Sequence, residues 1–263
     1  MCCLNYEVEL PLIIVLLPAY NEENSLPVLI PSIDKELHEI GDYRIVVVDD
    51  GSTDRTPAIL SDLENKYPIL ILKHEKNMNL GRAMLTGFSY IRDNIPDDDL
   101  IITMDADNTH SPSIIKALIE NESKGDVGIA SRYRRGGGEK GLSETRSIMS
   151  RGAGILLDMA FHVPNVRDYT CGFRLYHPLI IRKGFEIYGD DFISEVGFTV
   201  MAEILIRLHF AGAAFYEVPM ILRYDLKSGP SKMKVMKTVV RYFSLISKLK
   251  SVKKKLLKRN QEM

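Results

Sequence analysis

The chain has 263 residues, of which 45% are hydrophobic and 26% are charged, and its formal net charge at pH 7 is −1. This balance is typical of globular proteins and excludes a fibrous or intrinsically disordered chain. The longest apolar run spans residues 12–17, far short of the ~20 residues that a membrane-spanning helix needs. The three cysteines form no CxxC pair, and residues 1–9 lack the order of a secretory signal, so we expect a cytosolic protein without a disulfide framework.

The first half of the chain alternates predicted strands with predicted helices. Apolar and β-branched runs predict strands over residues 12–17, 44–48, 69–73, 100–104 and 126–130. Helical spacing of apolar residues predicts helices over 25–41, up to about residue 66, from about 80 to 92, and over 112–123. Five strands separated by helices indicate an α/β fold, with a mostly parallel sheet and helices on both faces. Ligands of such sheets bind beyond the carboxyl ends of the strands, where polar clusters follow strands one, two and four.

The second half is less regular. Residues 131–145 are rich in glycine and charge and predict a mobile loop, while residues 162–174 predict irregular structure. Helices are predicted over 146–161, 178–187 and 194–210, with a strand over 213–222. No long linker or internal repeat interrupts this pattern. We therefore expect one domain over residues 1–232 and a C-terminal tail over residues 233–263.

Two carboxylates, Asp105 and Asp107, follow the fourth predicted strand. At this spacing and position they can share a hard divalent cation, Mg²⁺ or Mn²⁺, which prefers oxygen ligands and bridges phosphate oxygens. Acidic pairs in turns also serve as helix caps or stay solvated. Their location at the ligand-binding edge of the predicted sheet favours the metal site.

Two further polar turns leave the neighbouring strands. Asp49 and Asp50 follow the second strand, where a carboxylate could accept hydrogen bonds from a nucleobase or ribose, or could only shape the turn and cap the next helix. Tyr20 and Glu22 follow the first strand, where the tyrosine could flank a base or be an ordinary half-buried loop residue.

Taken together, these turns resemble the nucleotide-sugar motifs of family 2 glycosyltransferases with the GT-A fold, in order and in spacing. The matching segments are Pro18-Ala19-Tyr20-Asn21-Glu22, Asp49-Asp50-Gly51-Ser52 and Asp105-Ala106-Asp107. The resemblance continues at residues 79–82, 130–133, 146–152, 172–174 and 217–219. This longer set is similar to the branch of dolichol- and polyprenol-phosphate mannosyltransferases and covers about residues 12–233.

The resemblance implies inverting transfer of a hexose to a dolichyl or undecaprenyl phosphate, with GDP-mannose as the default donor and a UDP-sugar as the alternative. It implies catalytic roles for Asp107, Arg132, Arg146 and Ser150. It implies that the metal is bound by Asp105 and Asp107, and that the acceptor phosphate is bound by Arg132, Arg146 and Ser150 with Arg223 or Lys227. The residues implied to contact the nucleotide sugar are Pro18, Tyr20, Glu22, Asp49, Asp50, Arg82, Asp105 and Ala106.

A phosphate acceptor also agrees with the chemistry of the side chains. A phosphate monoester has a second pKa near ~6 and is largely dianionic at neutral pH, so it needs cations that align two anions more than it needs a general base. Guanidinium groups around the glycine-rich loop suit bidentate phosphate contacts, although loop arginines are often only solvated. We expect two of the following four to touch phosphate: Arg132, Arg134, Arg135 and Arg146.

The tail differs in charge from the rest of the chain. Residues 227–263 contain 12 basic residues and one acid, a balance of +11, which leaves −12 for residues 1–226. Apolar tail residues recur every three or four positions, which predicts a basic amphipathic helix suited to an anionic membrane surface, or to packing on the body or a partner helix. These residues are Met236, Val239, Val240, Phe243, Ile246, Leu249, Val252 and Leu256. We expect a peripheral location on the cytosolic membrane face and no nucleic-acid partner, since the body is acidic and no reader motif occurs.

Two other functions stay open from the sequence. The same donor site could serve a sugar or protein hydroxyl as acceptor, with Asp168 as the general base. The chain could also bind a nucleotide sugar without catalysis and deliver it to a membrane subunit. A P-loop nucleotide site is excluded, because the sequence contains no GxxxxGK[ST] motif.

Overall fold

The fold is built around a sheet to which the described residues contribute seven strands. The structure is a computed structural model that describes residues 11–227 and 235–262, without the side chains of residues 144–146, 235–239 and 260–262. The strands are β1 (Ile13–Ala19), β2 (Tyr43–Asp49), β3 (Ile69–Lys73), β4 (Leu100–Thr103), β5 (Val127–Ser131), β6 (Gly138–Lys140), β7 (Arg174–Tyr176), β8 (Phe215–Pro219) and β9 (Ile221–Arg223). The order in the main sheet is β3-β2-β1-β4-β7-β5-β8, and its strands run parallel except β7, which is antiparallel to β4 and β5.

Helices cover both faces of this sheet. They are α1 (Leu26–Leu37), α2 (Thr56–Glu64), α3 (Asn79–Asn94), α4 (Ile114–Ile119), α5 (Glu144–Phe161), α6 (Pro178–Tyr188), α7 (Val200–Phe210) and α8 (Val235–Glu262). Consecutive side chains in the centres of β1, β2 and β4 are buried, so both faces of these strands are covered. Strands buried on both faces are near-continuous apolar runs, which explains why the sequence predicts them well. The predicted α/β fold with a mostly parallel sheet is confirmed.

Strand β7 lies where the sequence predicts irregular structure. It has only three residues, and its first side chain, Arg174, is a fully buried cation. The Arg174 guanidinium donates to the backbone carbonyls of Met201 (2.8 Å) and Tyr169 (3.1 Å). A short strand that begins with a buried arginine carries no apolar pattern, so its sequence does not indicate a strand.

The segments beside β5 and β8 also differ from the prediction. The predicted strand over residues 213–222 divides into β8 and β9, and β9 leaves the main sheet to pair with β6. The predicted mobile loop over residues 131–145 therefore contains a strand, β6. Backbone hydrogen bonds from Met220 to Ser131 (2.9 Å) and from Gly138 to Met220 (3.0 Å) hold this junction together.

The predicted helix over residues 194–210 begins later, as α7 at Val200. The preceding residues, 194–199, form a loop that we call the cleft loop. The carboxylate of Glu203 accepts hydrogen bonds from the backbone N–H groups of Ser194 (2.9 Å) and Glu195 (2.7 Å). The prediction of a helix start at residue 194 is wrong, and these hydrogen bonds to Glu203 instead hold residues 194 and 195 in the loop before α7.

Helix α8 packs one side on the rest of the molecule through the buried side chains of Tyr242, Leu245 and Leu249, next to α5 and α7. The apolar positions predicted to form one face are therefore divided, since Leu249 is buried while Val240 and Phe243 are exposed. Met236 and Val239 lie outside the described side chains, and the expected boundary at residues 232 and 233 lies outside the described residues. Among the described helices, none is long and apolar enough to span a membrane.

Candidate functional site

A cleft of about 290 Å³ opens at the carboxyl ends of β1, β2 and β4. The turns that leave these three strands form one side of it, as expected for an open α/β sheet. Among the residues implied to contact a nucleotide sugar, those that line the cleft are Pro18, Tyr20, Glu22, Asp50, Asp105 and Ala106. Asp107 and Lys227, implied to bind metal and acceptor phosphate respectively, line it as well.

The turns after β1 and β2 are locked to each other by polar contacts. Asn21 has a φ of 52°, in the left-handed region that asparagine tolerates better than most residues. Its backbone N–H donates to Ser52 Oγ (2.9 Å), and its side-chain carbonyl accepts from the N–H of Thr53 (2.8 Å). These hydrogen bonds hold the turns after β1 and β2 in one arrangement at the carboxyl ends of the strands.

Asp50 supplies a buried carboxylate at the same edge. It lies 2.7 Å from His74 Nδ1 and accepts a hydrogen bond from the backbone N–H of Met78 (2.8 Å). The other ring nitrogen of His74 lies 2.8 Å from Thr86 Oγ1 on α3. These contacts fix the orientation of Asp50, which lines the cleft while being almost fully enclosed.

Asp105 and Asp107 project from the turn after β4. The Asp105 backbone N–H donates to Nδ1 of the buried His110 (3.1 Å), and Thr109 donates through its hydroxyl (2.6 Å) and backbone N–H (3.2 Å) to Asp107 Oδ1. Burial and the neighbouring Asp107 charge raise the pKa of Asp105 above its usual value. Burial acts in the same direction on Asp107, but the Lys227 ammonium outweighs it and lowers the pKa of Asp107.

Lys227 makes a direct ion pair with Asp107 across the cleft. Its side chain is 15% exposed and that of Asp107 is 13% exposed, so solvent screens the pair little. Arg223, the alternative to Lys227 in the sequence, pairs with Asp225 at 2.9 Å. It lines a separate cavity of about 450 Å³ with Val28 and His110.

The donor set in the cleft fits a hard divalent cation. Asp105 and Asp107 offer carboxylate oxygens, which Mg²⁺ and Mn²⁺ prefer. The Lys227 ammonium now pairs with Asp107, so a metal bound to that carboxylate would replace this contact. Across the described ranges, no group of three or more His, Cys, Asp or Glu side chains is arranged to hold a metal ion. An ion bound by these two aspartates would therefore need further ligands from a bound phosphate compound or from water.

The opposite wall is the cleft loop, which the sequence does not identify as part of a site. Val196, Gly197 and Phe198 line the cleft, and the side chains of Val196 and Phe198 are 42% and 43% exposed. The N-terminus of α3 completes the wall with Asn79, Leu80 and Ala83. The sequence does not reveal this wall because it predicts a helix over residues 194–210. Apolar side chains on a predicted helix are usually assigned to the core.

Two of the residues implied to contact the nucleotide sugar, Asp49 and Arg82, do not line the cleft. Asp49 is buried below it, where its carboxylate accepts the Ser52 N–H (3.0 Å) and shapes the turn. Arg82 is exposed on α3. The position of Asp49 fits the turn-shaping alternative that the sequence left open after the second strand, and the binding roles that the resemblance implies for Asp49 and Arg82 stay predictions.

Arg132 lies beyond the cleft lining in a buried ion pair with Asp168. Arg132 Nε lies 2.7 Å from Asp168 Oδ2, and Nη2 lies 2.6 Å from Oδ1, which is a bidentate arrangement. Arg132 Nη1 also donates to Ser150 Oγ (3.3 Å), which accepts from the Tyr133 hydroxyl (3.0 Å). Arg132 and Ser150, implied together for the acceptor phosphate, are thus neighbours. Arg146 lies in the first turn of α5, and its side chain is outside the described part of the structure.

Glu217 supports the Arg132–Asp168 ion pair by holding the backbone next to it. Its Oε1 accepts the backbone N–H groups of Arg167 (2.7 Å) and Asp168 (2.8 Å), which fixes the backbone that carries Asp168. Burial raises the pKa of Glu217, and its Oε2 has no hydrogen-bond partner in the described part of the chain. The sequence marks this position only through the resemblance at residues 217–219. Its structural role depends on the hydrogen bond from the N–H of Asp168, a residue 49 positions away along the chain.

The family comparison agrees with the motifs. Residues 14–185 match the model of Glycosyl transferase family 2, which covers more than half of the chain. The family resemblance inferred from the three turns is confirmed.

Two curated proteins extend the comparison beyond the matched domain. The chain is 33% identical over 237 residues to a protein of Pyrococcus furiosus named dolichol-phosphate mannosyltransferase, covering 89% of this chain and 62% of that protein. It is 28% identical over 224 residues to the polyprenol monophosphomannose synthase of Mycolicibacterium smegmatis, covering 84% and 80% respectively. The chain therefore spans less than two thirds of the length of the Pyrococcus protein.

A solved structure of similar fold is glucosyl-3-phosphoglycerate synthase from Mycobacterium tuberculosis in complex with Mn²⁺, UDP and phosphoglyceric acid. The TM-score is 0.61 at 18% identity, covering 92% of this chain and 78% of that one. At this identity the similarity supports the fold, and the expected GT-A architecture is confirmed.

Proposed function

The chain belongs to glycosyl transferase family 2, and from that premise we propose that it transfers a hexose, with mannose favoured, from a nucleotide diphosphate sugar to a polyprenyl phosphate. The observation that carries the proposal is the cleft in which the turn residues Tyr20, Glu22 and Asp50 face Asp105 and Asp107. The names of the two curated relatives support the choice of mannose and of a lipid phosphate.

The donor diphosphate would bind beside Asp105 and Asp107, which would hold Mg²⁺ or Mn²⁺. When bound there, the ion neutralises charge on the departing nucleoside diphosphate as a Lewis acid. Lys227 reaches the same point from the opposite side of the cleft. The resemblance implies that Lys227 binds the acceptor phosphate. Because it pairs with Asp107, we propose instead that its ammonium would bind a diphosphate oxygen and so help to hold two anionic substrates near each other. Tyr20 and Asp50 lie where they would contact the nucleoside.

The acceptor phosphate would be oriented by Arg132 and Ser150, with Arg146 from the first turn of α5. Because a phosphate monoester is already largely dianionic at neutral pH, its oxygen can attack without a protein base. Direct attack on the anomeric carbon, with departure of the nucleoside diphosphate, inverts the configuration. Both oxygens of Asp168 accept hydrogen bonds from Arg132 and the nearby backbone, which suits a positioning role better than proton abstraction.

Membrane contact would come from the basic stretch at residues 253–259 of α8, placing the protein peripherally on the cytosolic face. Lys254, Lys255 and Lys258 are exposed there, and each surface-proximal lysine contributes about 1 kcal/mol of attraction to an anionic bilayer. This location would bring the cleft close to a lipid acceptor.

The test is incubation of purified protein with GDP- or UDP-sugars, Mn²⁺ and a polyprenyl phosphate in detergent, followed by extraction of glycolipid. We expect a mannosyl lipid from GDP-mannose with inverted anomeric configuration by NMR. Asp107→Asn should reduce turnover by about two orders of magnitude or more, the usual loss when transition-state charge stabilisation is removed. Asp62→Asn, which changes an exposed acid on α2, should be neutral.

Two results would replace the proposal. Donor binding without glycolipid from any donor would favour a nucleotide-sugar-binding subunit. Transfer to a sugar or peptide hydroxyl but not to lipid phosphate would favour the hydroxyl acceptor. Thermal-shift measurements with GDP- and UDP-sugars, each with and without Mn²⁺, identify the nucleotide before the acceptor is varied.

A further inference from the structure

The cleft loop is held in place from outside the cleft. Ser194 and Glu195 donate their backbone N–H groups to Glu203, whose carboxylate is fully buried in the first turns of α7. The Ser194 hydroxyl also donates to Glu203 Oε1. Glu203 therefore makes three of the contacts that shape residues 194–195. Because its carboxylate is fully buried, its negative charge needs a cation nearby.

Two cations provide that balance. Arg207, one turn further along α7, lies 3.1 Å from Glu203 Oε1. Lys248 of α8 reaches the same oxygen at 3.3 Å and also contacts Ser194 Oγ (2.6 Å) and Glu195 Oε1 (3.2 Å). These cations and hydrogen bonds outweigh burial and lower the pKa of Glu203. Arg207 also donates to Ser194 Oγ (3.3 Å). Lys248 differs from Arg207 in that it belongs to another helix and also pairs with the Glu195 side chain of the cleft loop.

The position of Lys248 is fixed by its neighbours on α8. Leu245 and Leu249, on either side of it along the helix, are fully buried in the body. Arg241 lies two turns earlier on the same side of the helix, since seven residues are close to two turns. A methyl group at Gly197 would lie 2.6 Å from Arg241 Nη1, so this guanidinium already packs on the cleft loop where it lines the cleft.

We propose that Lys248 is a positioning residue through which α8 holds the cleft loop in its donor-binding arrangement. The inference rests on the proposed function of the cleft and adds a specific route from the tail helix to the donor site. Lys248 itself does not line the cleft. Its effect runs through Ser194 and Glu195 to Val196, Gly197 and Phe198, which do.

The experiment compares Lys248→Ala with Lys248→Arg and with Lys250→Ala, an exposed lysine two positions away on the same helix. Hydrogen exchange of the full chain is followed by mass spectrometry on peptides covering residues 194–199 and, as a reference, α1. Binding of GDP-mannose and UDP-glucose with Mn²⁺ is measured by calorimetry in the absence of lipid. Circular dichroism verifies that each variant is folded.

We expect Lys248→Ala to accelerate exchange in the 194–199 peptide alone and to raise the donor dissociation constant about three- to ten-fold, as for loss of a partly exposed ionic contact. Lys248→Arg should restore both values, and Lys250→Ala should match the wild type. Unchanged exchange and affinity in Lys248→Ala would overturn the inference. If this variant unfolds, Glu195→Gln removes the Lys248–Glu195 ion pair from the loop side but keeps the contact with Ser194, so it should show the same two effects at smaller size, and no change in either would overturn the inference.

The two proposals fail in different ways. If the wild type binds no nucleotide sugar, the proposed function fails, while faster exchange in Lys248→Ala still supports a hold on the loop. If the wild type binds donor and Lys248→Ala binds it equally well with equal exchange, the cleft function stands and the role of Lys248 falls.

Discussion

Asp168 shows how a single residue determines both the stability of this site and the interpretation of its chemistry. The carboxylate has no exposed surface, and it accepts hydrogen bonds from the guanidinium and backbone N–H of Arg132 and from the N–H of Cys171. Burial favours the neutral acid, but the Arg132 charge and these hydrogen bonds outweigh it and lower the pKa of Asp168. Asp168 therefore stays ionised and paired.

Asp168→Asn should destabilise the fold by about 3–5 kcal/mol, because it leaves the Arg132 charge buried without its partner. A carboxyl whose folded-state pKa is lowered contributes stability above its unfolded pKa of about 4, and that contribution is lost as the pH falls further. Unfolding free energy, measured with denaturant between pH 3 and 7, should therefore decline less steeply on acidification in Asp168→Asn than in the wild type.

A double variant separates the ion pair from simple loss of packing. Arg132→Met combined with Asp168→Leu removes both charges, so it should be more stable than Asp168→Asn alone. Equal stability of the single and double variants would contradict the view that an unpaired buried charge causes the loss. Retention of full lipid-phosphate transfer in folded Asp168→Asn would show that the pair plays no part in acceptor binding.

Among elements, α3 and the cleft loop meet in a close backbone contact at the wall of the cleft. Gly81 in the first turn of α3 lies directly against this loop, and a Cβ there would be 1.8 Å from the carbonyl oxygen of Glu195. No rotamer change can relieve a contact between a Cβ and a backbone atom. The loop or the helix must move if this glycine is replaced.

Gly81→Ala should therefore destabilise the protein by about 1–3 kcal/mol, the usual cost of overpacking, and weaken nucleotide-sugar binding. Gly152→Ala is the matched control, since Gly152 is an exposed position in α5 where an added Cβ would meet no atom within 4 Å apart from the neighbouring backbone of its own helix. Replacing a solvent-exposed helical glycine should instead stabilise by about 0.5–1 kcal/mol. Thermal denaturation and donor titration measure both effects, and equal behaviour of the two variants would contradict the assigned contact.

The same elements show how far the sequence determines the fold. The central strands and the helices between them are predicted within a few residues, because burial on both faces gives β1, β2 and β4 continuous apolar runs. Strand β7 and the start of α7 depend on distant or side-chain partners, namely the carbonyl of Met201 for Arg174 and the carboxylate of Glu203 for Ser194. Local periodicity carries no record of such contacts.

The residues of the site also fall into those that local sequence indicates and those that depend on tertiary contacts. The acidic turns after β1, β2 and β4 are visible in the sequence because strand ends of a parallel sheet meet at one edge. The cleft loop, the support of Asp168 by Glu217 and the choice of Lys227 over Arg223 at Asp107 depend on tertiary contacts. For this reason, spacing alone leaves those assignments open.

At the scale of the whole molecule, the dominant feature is the separation of charge between an acidic body and a basic C-terminal helix. Residues 227–263 carry +11 and the preceding residues carry −12. Helix α8 uses Tyr242, Leu245 and Leu249 to pack on the body, which leaves other residues of the helix exposed, including Phe243, Lys254, Lys255 and Lys258. An anionic bilayer would be attracted to this helix and repelled by the body, so electrostatics alone would orient the protein.

We therefore expect the protein to sediment with vesicles containing phosphatidylglycerol but not with purely zwitterionic vesicles. Changing Lys254, Lys255 and Lys258 together to Glu should weaken binding by at least about 3 kcal/mol, or roughly a hundred-fold, from about 1 kcal/mol for each lysine lost. Changing Lys35, Lys66 and Lys116 to Glu makes the same net-charge change at exposed positions on the body. The body variant should lose much less affinity.

Ionic strength separates electrostatic docking from insertion of apolar side chains. The screening length falls from about 8 Å at 0.15 M salt to about 3 Å at 1 M, so binding through lysines should largely disappear at high salt. Binding that survives 1 M salt would instead indicate that exposed apolar residues such as Val240 and Phe243 enter the bilayer. Equal loss of binding in the tail and body variants would show that net charge, rather than α8, determines attachment.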